Sequence, residues 1–415
     1  MRFYELDREG RLALLKDHAS LSDDEVEILR HGSGIDFRMA DSMVENAVSF
    51  ISYPLGIATH FTINGRDYLV PMAIEEPSVI AAASKGAKIA KVRGGFKAHA
   101  DPSVMIGQVQ VKDVRDAEKA VEDVMKSKDE LLGIANSRSS LASRGAGARD
   151  LRCRAIDTSR GKMLIVELLV DVKDAMGANV VNTMCEAIAP RVEEITNGRV
   201  LLRILSNYAV HRLVKAEARF AREMVGDDAI EGILDAYAFA EADLYRCVTH
   251  NKGVMNGIIA VALATAQDTR AIEAGAHAYA CMNGRYSPLT RWRRGSDGDL
   301  VGSIEVPLAV GIVGGLTSTH PMARLSLRIL GVSSAQELAC VMASVGLAQN
   351  FSALYALVRE GIQAGHMRLH ARKVAMLAGA EGSMIDEVAR RLAREGNITV
   401  EHARRIIQAI ENEGG

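Results

Sequence analysis

Apolar and polar positions alternate with different periods along the chain, and each period predicts a different element. Residues 1–50 have helical spacing, and Ser22-Asp23-Asp24-Glu25 has the Ser-x-x-Glu pattern of a helix capping box. Residues 51–72 alternate loosely around Asn64-Gly65, which favours a β-hairpin turn. An alanine-rich helix is predicted after Glu75-Glu76-Pro77-Ser78.

Residues 104–209 have a distinct strand–helix–strand–strand–helix–strand rhythm. Strands are predicted over 104–111, 151–157, 163–172 and 200–206, and helices over 116–135 and 177–196. This β-α-β-β-α-β order is typical of ferredoxin-like modules, in which helices cover one face of an antiparallel sheet. We therefore predict a small domain inserted into a larger one.

From Tyr208 onward, helical patterns dominate, except in the glycine-rich stretch 289–315, which is predicted to be part strand. Ser334-Ala335-Gln336-Glu337 is a second capping box, opening a long helix to about residue 364. The last fifty residues predict three short helices in a basic, mobile segment.

The predicted fold class is α+β: a large, mainly helical domain with an inserted ferredoxin-like small domain and a mobile helical C-terminal segment. The predicted large domain has two parts, 1–103 and 210–362. The small cofactor-binding domain is predicted over 104–209, and a C-terminal flap over 363–415.

Composition places the chain among soluble globular proteins. Of its 415 residues, 48% are apolar and 25% charged, and the net charge of −2 gives no reason to expect nucleic acid or a membrane surface. The longest apolar runs, 257–266 and 306–316, are too short to span a bilayer, and the N-terminus is too charged for a signal peptide. Five scattered cysteines without CxxC spacing favour reduced thiols in the cytoplasm.

Residues 241–270 hold the first chemical candidate. A cluster of polar and ionisable residues leads there into the apolar run 257–266, with Lys252 at its mouth. Such a lysine is expected to be paired, and it is a candidate proton donor or oxyanion stabiliser. The alternative is a helix start whose lysine points into water.

Glu75 and Glu76 form a second candidate. Adjacent residues on an extended chain point in opposite directions, so only one of the two can face a site. A glutamate facing an apolar pocket suits general acid catalysis near neutral pH. The alternative is a helix N-terminus whose acidic residues complement the helix dipole.

Two further segments carry candidate chemistry. Residues 173–182 lie where a strand turns into a helix, and small residues with free N–H groups there can hold an anion such as a pyrophosphate. No GxGxxG fingerprint is present, and a helix capped by Asp174 is the alternative. His366 and His370 share a helix face, but without HExxH or a suitably spaced carboxylate no metal site is predicted. A single histidine acting as proton donor is preferred over a metal site, and surface histidines on a basic helix are the alternative.

Taken together, long segments of the chain resemble class II 3-hydroxy-3-methylglutaryl-coenzyme A (HMG-CoA) reductases, the soluble, prokaryotic-type branch of that family. They occur in the family's order and cover nearly the whole chain. The matching segments are ENAVSF (45–50), FTINGRDYLVPMAIEEPS (61–78), VDVKDAMGANVVNTM (170–184), RILSN (203–207), YRCVTHNKGVMNGI (245–258), EAGAHAYA (273–280) and GHMRLHARKVAMLAGA (365–380).

The resemblance implies a reversible, four-electron reduction of (S)-HMG-CoA to (R)-mevalonate and coenzyme A by NADH or NADPH. Glu76, Lys252 and Asp268 match the catalytic trio, and His366 matches the histidine of the mobile C-terminal segment. Lys252 would stabilise or protonate the alkoxide, and Asp268 would hold the lysine charged and oriented. His366 would protonate the departing thiolate. Either Glu76 or Lys252 would donate the proton in the second reduction.

The resemblance also implies the binding residues. Ser78, Arg246 and Asn256 match positions that hold the hydroxymethylglutaryl part, with Arg246 suited to its carboxylate. Nicotinamide-cofactor contacts are implied for six residues: Asp174, Met176, Gly177, Asn179, Asn182 and Asn207.

ENAVSF matches a dimer-interface motif, so a homodimer or higher homo-oligomer with composite sites is implied. One straight helix over 253–267 would separate Lys252 from Asp268 by roughly 24 Å. Either this segment breaks, or the two residues meet across subunits.

Some questions stay open at this level. Residues 136–140 lack the acid found in NADH-specific members, and Arg and Ser there could accept a 2′-phosphate, so the choice between NADH and NADPH is undecided. A metal-dependent HMG-CoA lyase and a non-catalytic coenzyme A-binding module are the alternative functions. The direction of the reaction in the cell, synthesis or degradation of mevalonate, also stays open.

Overall fold

The computed structural model describes residues 3–32, 34–139, 141–359, 362–382 and 384–413, with the side chains of 362–369 and 412–413 left out. The α-helices are α1 Arg8–Ala19, α2 Asp23–His31, α3 Phe37–Met43, α4 Val79–Lys91, α5 Ala117–Lys126, α6 Lys128–Ser137, α7 Ala178–Thr196, α8 Arg222–Val225, α9 Asp227–Ala242, α10 Leu244–Ala264, α11 Thr269–Ala280, α12 Gly315–Thr319, α13 Pro321–Leu330, α14 Ala335–Arg359, α15 Ile362–Leu377, α16 Met384–Glu395 and α17 Val400–Glu413. The strands are β1 Leu55–Ile63, β2 Arg66–Ala73, β3 Phe96–Ala100, β4 Val104–Lys112, β5 Gly147–Thr158, β6 Gly161–Asp171, β7 Arg199–Ser206, β8 Leu213–Phe220, β9 Thr290–Arg294 and β10 Leu300–Pro307.

Six strands form the larger sheet, in the order β2-β1-β3-β8-β10-β9. The predicted hairpin is confirmed: β1 and β2 pair antiparallel from Leu55↔Ala73 to Ile63↔Arg66. Asn64 and Gly65 both have positive φ in the turn, at 50° and 84°, which is the conformation that Asn-Gly favours. β2 then leads towards the Glu75-Glu76 segment.

The prediction that helical patterns dominate from Tyr208 onward is wrong for β8. Its residues alternate between buried and exposed, with Val214 and Phe220 inside and Lys215 and Glu217 outside. Two of the inward positions are alanines, whose small side chains weaken the period-2 signal. β8 pairs with β3 and β10 and so lies near the middle of the larger sheet.

The second sheet has four antiparallel strands in the order β5-β6-β4-β7, which is the ferredoxin-like arrangement predicted from residues 104–209. The predicted single helix over 116–135 is instead two, because the chain turns at Ser127. This residue is both the C-cap of α5 and the residue before α6, and its hydroxyl donates to the carbonyl of Asp123. The predicted α+β fold class is confirmed.

Helix α14 forms the centre of the larger unit and packs against α10, α4 and the larger sheet. Glycines bring α10 and α14 close: a Cβ at Gly257 would lie 3.0 Å from the carbonyl oxygen of Val345. In the part of the chain that the structure describes, α14 is the one helix long and apolar enough to cross a membrane. Its most apolar window is 78% buried within the fold, which is typical of a core helix in a soluble protein.

The two predicted capping boxes and the three predicted C-terminal helices are largely present. The Ser22–Glu25 capping box is present, with both reciprocal hydrogen bonds. In the second box, Ser334 accepts from the Glu337 amide, but the Glu337 carboxylate accepts from Ser333 rather than from Ser334. Three C-terminal helices, α15, α16 and α17, pack around a small core of their own.

Candidate active site

The carboxylate of Glu76 and the ammonium of Lys252 form the centre of the candidate site. Oε2 of Glu76 lies 2.8 Å from Nζ of Lys252 and accepts a longer hydrogen bond, 3.3 Å, from the amide of Asn256. Lys252 and Asn256 are four residues apart on α10, so they present the same helix face to Glu76. The predicted pairing of Lys252 is therefore present.

Lys252 does not lie at a helix start, as one alternative supposed. Helix α10 begins at Leu244, where the side chain of Asp243 accepts a hydrogen bond from the Arg246 amide. The polar cluster and the apolar run thus belong to one helix. With 58% of its side chain exposed, Lys252 is both paired and accessible to a ligand.

Glu75 and Glu76 lie in a bend after β2 rather than on an extended strand, and Glu76 is the one that contacts α10. Glu75 is exposed, whereas the Glu76 side chain, 35% exposed, turns towards α10. The carboxylate meets an ammonium and an amide rather than the apolar pocket considered from the sequence. Among the described residues, Oε1 of Glu76 has no hydrogen-bond partner.

Three residues with unusual backbone conformations flank the candidate site segments. Ser78, Lys173 and Ala266 have φ values of 75°, 51° and 52°, in the left-handed region that side chains disfavour. Each lies within two residues of Glu76, Asp174 or Asp268. Strain of this kind concentrates at functional sites. None of the three is a glycine, so their residue types do not predict these conformations.

Ser78 is the N-cap of α4, but its hydroxyl makes no capping hydrogen bond. The left-handed backbone of Ser78 turns this side chain out of the usual capping position, and the residue is exposed. The hydroxyl is therefore free to bind a ligand beside Glu76.

Arg246 is half-buried on the first turn of α10, and burial lowers the pKa of its guanidinium from the ordinary value. No described residue accepts a hydrogen bond from that guanidinium. A partly desolvated cation without a partner is well suited to receive a carboxylate from a ligand. One turn further on, His250 is buried, with Nε2 2.7 Å from the hydroxyl of Thr290.

Within one chain, the contacts described for Asp268 do not include Lys252. Its carboxylate caps α11 by accepting from the Ala271 amide at 3.1 Å and pairs with Arg270 at 3.2 Å. Helix α10 continues unbroken to Ala264, which alone places its end about 18 Å beyond Lys252. Between Lys252 and Ala264 the helix has no break, and the chain leaves it only at Thr265, shortly before Asp268.

The segment after β6 arranges the predicted cofactor residues. Asp174 is not the N-cap of α7, as the alternative supposed, because Gly177 has that position with φ 102°. The Asp174 carboxylate instead accepts from the Ala335 amide at the start of α14. A Cβ at Gly177 would lie 2.7 Å from a methyl group of Val172. The first turn of α7 thus keeps its N–H groups free of a side-chain cap.

β6 and β7 both run antiparallel to β4, so their C-terminal ends lie at the same edge of the second sheet. Asn182 links these ends, because its Oδ1 accepts from the Leu205 amide at 2.8 Å. Asn179 and Asn207 are exposed at this edge, and Met176 is half-buried. The six predicted cofactor residues are therefore brought together.

At this edge the carboxylate of Asp171 pairs with two cations, Lys173 and Arg149. Burial alone would raise the pKa of its carboxyl, but the hydrogen bond from the Lys173 amide and the ion pairs with Lys173 and Arg149 lower it. Both cations are about half exposed, so they remain available to an anionic ligand.

His366 falls on α15, but its side chain lies outside the described residues. His370 is exposed. Over the described ranges, no three His, Cys, Asp or Glu side chains are grouped as metal ligands. A cleft of about 670 Å³ on the outer face of the larger sheet, lined by Lys97, Lys215 and Arg291 among others, does not include Glu76 or Lys252.

Comparison with known proteins identifies the family. The family model for hydroxymethylglutaryl-coenzyme A reductase matches residues 7–371. The chain belongs to this family. A 3-hydroxy-3-methylglutaryl-coenzyme A reductase of Archaeoglobus fulgidus is 52% identical over 99% of this chain and 94% of its own length.

Solved structures of HMG-CoA reductases support the same family assignment. The reductase of Streptococcus pneumoniae, 42% identical, superposes with a TM-score of 0.83 over 98% of this chain and 99% of the other. A second structure of the same enzyme, described as class II and bound to NADPH in open conformations, gives a TM-score of 0.82 over 98% of this chain and 100% of that one. The resemblance to class II HMG-CoA reductases noted in the sequence is thereby confirmed.

Proposed function

We propose that this protein is an oxidoreductase that reduces (S)-HMG-CoA to (R)-mevalonate and coenzyme A at the expense of two NAD(P)H. The observation that carries the proposal is the Lys252–Glu76 contact, with Asn256 on the same carboxylate oxygen. It places a cation and an acid side by side on an accessible surface. Membership of the HMG-CoA reductase family and the NADPH-bound relative support the assignment.

Lys252 and Glu76 have different roles at the carbonyl that is reduced. Reduction of the thioester places negative charge on the carbonyl oxygen, and the Lys252 ammonium stabilises that charge. Glu76 lies within hydrogen-bond distance of Nζ, so a proton can pass between the two groups as the alkoxide forms. Asn256 restrains the carboxylate by donating to Oε2. Oε1 is left to face the substrate.

Two further residues hold the substrate. Arg246 would bind the free carboxylate of the hydroxymethylglutaryl group, because its half-buried guanidinium has no other hydrogen-bond acceptor among the described residues. The uncommitted hydroxyl of Ser78 would bind a polar atom of the same group. By family resemblance, His366 would protonate the departing coenzyme A thiolate.

The second sheet would hold the nicotinamide cofactor, with residues 104–209 acting as the cofactor-binding domain inserted into a large domain made of 1–103 and 210–362. The uncapped N-terminus of α7 fits a pyrophosphate, and Gly177 lets it approach the backbone. When bound, NAD(P)H supplies the hydrides. Asp174, Met176, Gly177, Asn179, Asn182 and Asn207 would orient it.

Of the two cofactors, we favour NADPH. Asn136 accepts from and donates to Ala148, which brings the end of α6 next to β5. Arg138, Arg144 and Arg149 lie on these neighbouring segments, and guanidinium groups suit a 2′-phosphate. Steady-state kinetics with NADPH and NADH side by side would decide this, and a lower KM for NADH would reject the preference.

A homodimer would complete the site. Residues near the ENAVSF motif expose large apolar side chains, with Val48 89% and Ile51 90% exposed, and Tyr245 beside Arg246 is 86% exposed. Such surfaces in a stable protein are usually covered by a partner. Since α10 is unbroken, we infer that Asp268 of the partner subunit approaches Lys252. The five unpaired cysteines support a cytoplasmic location.

The test is spectrophotometric. Purified protein should oxidise NADPH when (S)-HMG-CoA is added and not without it. Mevalonate should then be detected by chromatography. Acetoacetate formed only with a divalent metal would favour a lyase instead. Coenzyme A binding without either product would favour a non-catalytic module.

A further inference from the structure

Arg212 lies where the chain passes between the two sheets. It ends the short connection from β7 to β8, by which the chain returns from the second sheet to the larger one. Ser103 lies on the outward connection, between β3 and β4. The Arg212 side chain is almost entirely buried between these crossings, with the whole residue 4% exposed.

The guanidinium of Arg212 donates to four different places. Nη1 bonds to the carbonyls of Met176 at 3.1 Å and Ala175 at 3.4 Å. Nη2 bonds to the carbonyl of Val310 at 2.6 Å and to the hydroxyl of Ser103 at 3.3 Å. One side chain therefore connects three segments: the outward crossing at Ser103, the chain after β10 at Val310, and the loop before α7. Arg212 itself lies on the return crossing.

All four acceptors are neutral. Burial lowers the pKa of Arg212 to about 10, while the charges of Asp171 and Asp174 oppose that change. The group is therefore charged at neutral pH. Burying a charge without a directly bonded carboxylate costs free energy, and an apolar side chain of similar volume commonly serves stability as well or better. Stability alone does not account for an arginine here.

The loop that Arg212 binds is also held from its other side. A Cβ at Gly311 would lie 2.5 Å from the Met176 amide nitrogen, so the two backbones are in direct contact. The Ile312 amide donates to the Asp174 carbonyl at 2.8 Å. Gly311 in turn exchanges two hydrogen bonds of 2.9 Å with the side chain of Gln267, the neighbour of Asp268. The loop is thus fixed against the large unit on two sides.

We propose that Arg212 is a positioning residue that fixes the Asp174–Gly177 loop, and with it the bound nicotinamide cofactor, against the part of the large unit that holds Gln267 and Asp268. The inference rests on the proposed function, because it assumes that this loop holds the cofactor. Hydride transfer needs the reacting atoms within about 3.5 Å, and a misplacement of about 1 Å can cost a factor of about 100 in rate. A loop that shifts slightly would therefore weaken cofactor binding and slow turnover together.

Two substitutions at Arg212 test the proposal. Arg212→Lys keeps the charge but loses the fork of donors, and Arg212→Met removes the buried charge at similar volume, so at least one variant should fold. In either folded variant, KM for NADPH should rise and kcat should fall, each by about tenfold or more, with KM for HMG-CoA unchanged. Arg219→Lys on β8, whose partners Asp297 and Asp299 lie on the larger unit, is the matched control and should behave like wild type.

Gly311→Ala gives an independent reference, because its new methyl group would push the same loop from the opposite side. It should reproduce the rise in KM for NADPH. A folded Arg212 variant with wild-type KM for NADPH, or with both KM values raised equally, would overturn the proposal.

Direct titration of NADPH binding, followed by its fluorescence, separates this inference from the proposed function. If the wild type binds NADPH but does not reduce HMG-CoA, the function fails, and the Arg212 variants still test the inference through their Kd. Unchanged Kd values in the variants would reject the positioning role even if the wild type is an active reductase.

Discussion

Nζ of Lys252 lies 2.8 Å from Oε2 of Glu76, although 176 residues separate them along the chain. One comes from the middle of α10 and the other from the link that follows β2, two elements that pack against each other in the core of the larger unit. The ammonium and the carboxylate are held by rigid elements on both sides. Such support keeps a catalytic pair in a fixed geometry.

Lys252→Ala should abolish turnover without unfolding the protein. The side chain is 58% exposed, so its loss should change the free energy of unfolding by only about 0.5 kcal/mol. Loss of the cation that stabilises the alkoxide should lower kcat by a factor of about 100 or more. Lys119→Ala, which removes an exposed helical lysine paired with Asp123, is the matched control. Normal turnover in the Lys252 variant would remove this residue from the mechanism.

Glu76→Gln should lower kcat strongly while leaving KM for both ligands nearly unchanged. The amide keeps the shape of the side chain but cannot exchange a proton with Lys252 or the substrate, a loss of about 100-fold to 10,000-fold. Glu75→Gln is the natural comparison, because Glu75 is adjacent but exposed. Equal kinetics for the two variants would contradict the assignment of Glu76.

Mixing two inactive variants should restore activity. If Asp268 acts across the subunit interface, a dimer of one Lys252→Ala chain and one Asp268→Asn chain has one intact site and one site that lacks both groups. Random mixing by co-expression should then give about a quarter of wild-type activity, because half of the dimers are mixed and each has one working site. No recovery in purified mixed dimers would place Lys252 and Asp268 in the same chain.

Acid should destabilise the protein through His250. Burial, aided by the charge of Arg246, lowers the pKa of His250 from 6.5 to about 4. Between these values the unfolded chain binds a proton that the folded chain does not, so stability falls as the pH drops from 6.5 towards 4. The loss is on the order of 3 kcal/mol.

Thermal unfolding followed across this pH range measures the effect. His250→Gln should flatten the dependence of Tm on pH, although its absolute Tm will be lower because the buried contact with Thr290 changes. His31→Gln, at an exposed position, should keep the wild-type slope. An unchanged slope in the His250 variant would assign the acid sensitivity to other groups.

Local patterns predicted the parts of the fold that local physics determines. Asn64-Gly65 specifies its hairpin because Asn and Gly tolerate positive φ, and Ser22 with Glu25 specifies a helix start through two reciprocal hydrogen bonds. The four strands of the second sheet were found because their alternation is strong. β8 was missed because alanines at two inward positions weaken that alternation. The turn at Ser127 was missed because a serine inside a helical pattern does not by itself predict a break.

The candidate site was less accessible to pattern analysis. No local period links Glu76 to Lys252, so their pairing could be expected only from the family resemblance. Ser78, Lys173 and Ala266 have left-handed backbones that their own residue types do not predict. The position of Asp174 depends on the distant start of α14. Long-range packing thus determines the site, whereas local chemistry determines most of the elements.

The uninterrupted course of α10 has a pharmacological consequence. If Lys252 and Asp268 can meet only between two chains, an inhibitor that contacts both would hold those chains together as it binds. Its potency would then depend on protein concentration and would decline on dilution below the point at which the dimer separates. A compound confined to Arg246, Lys252 and Asn256 would not show that dependence.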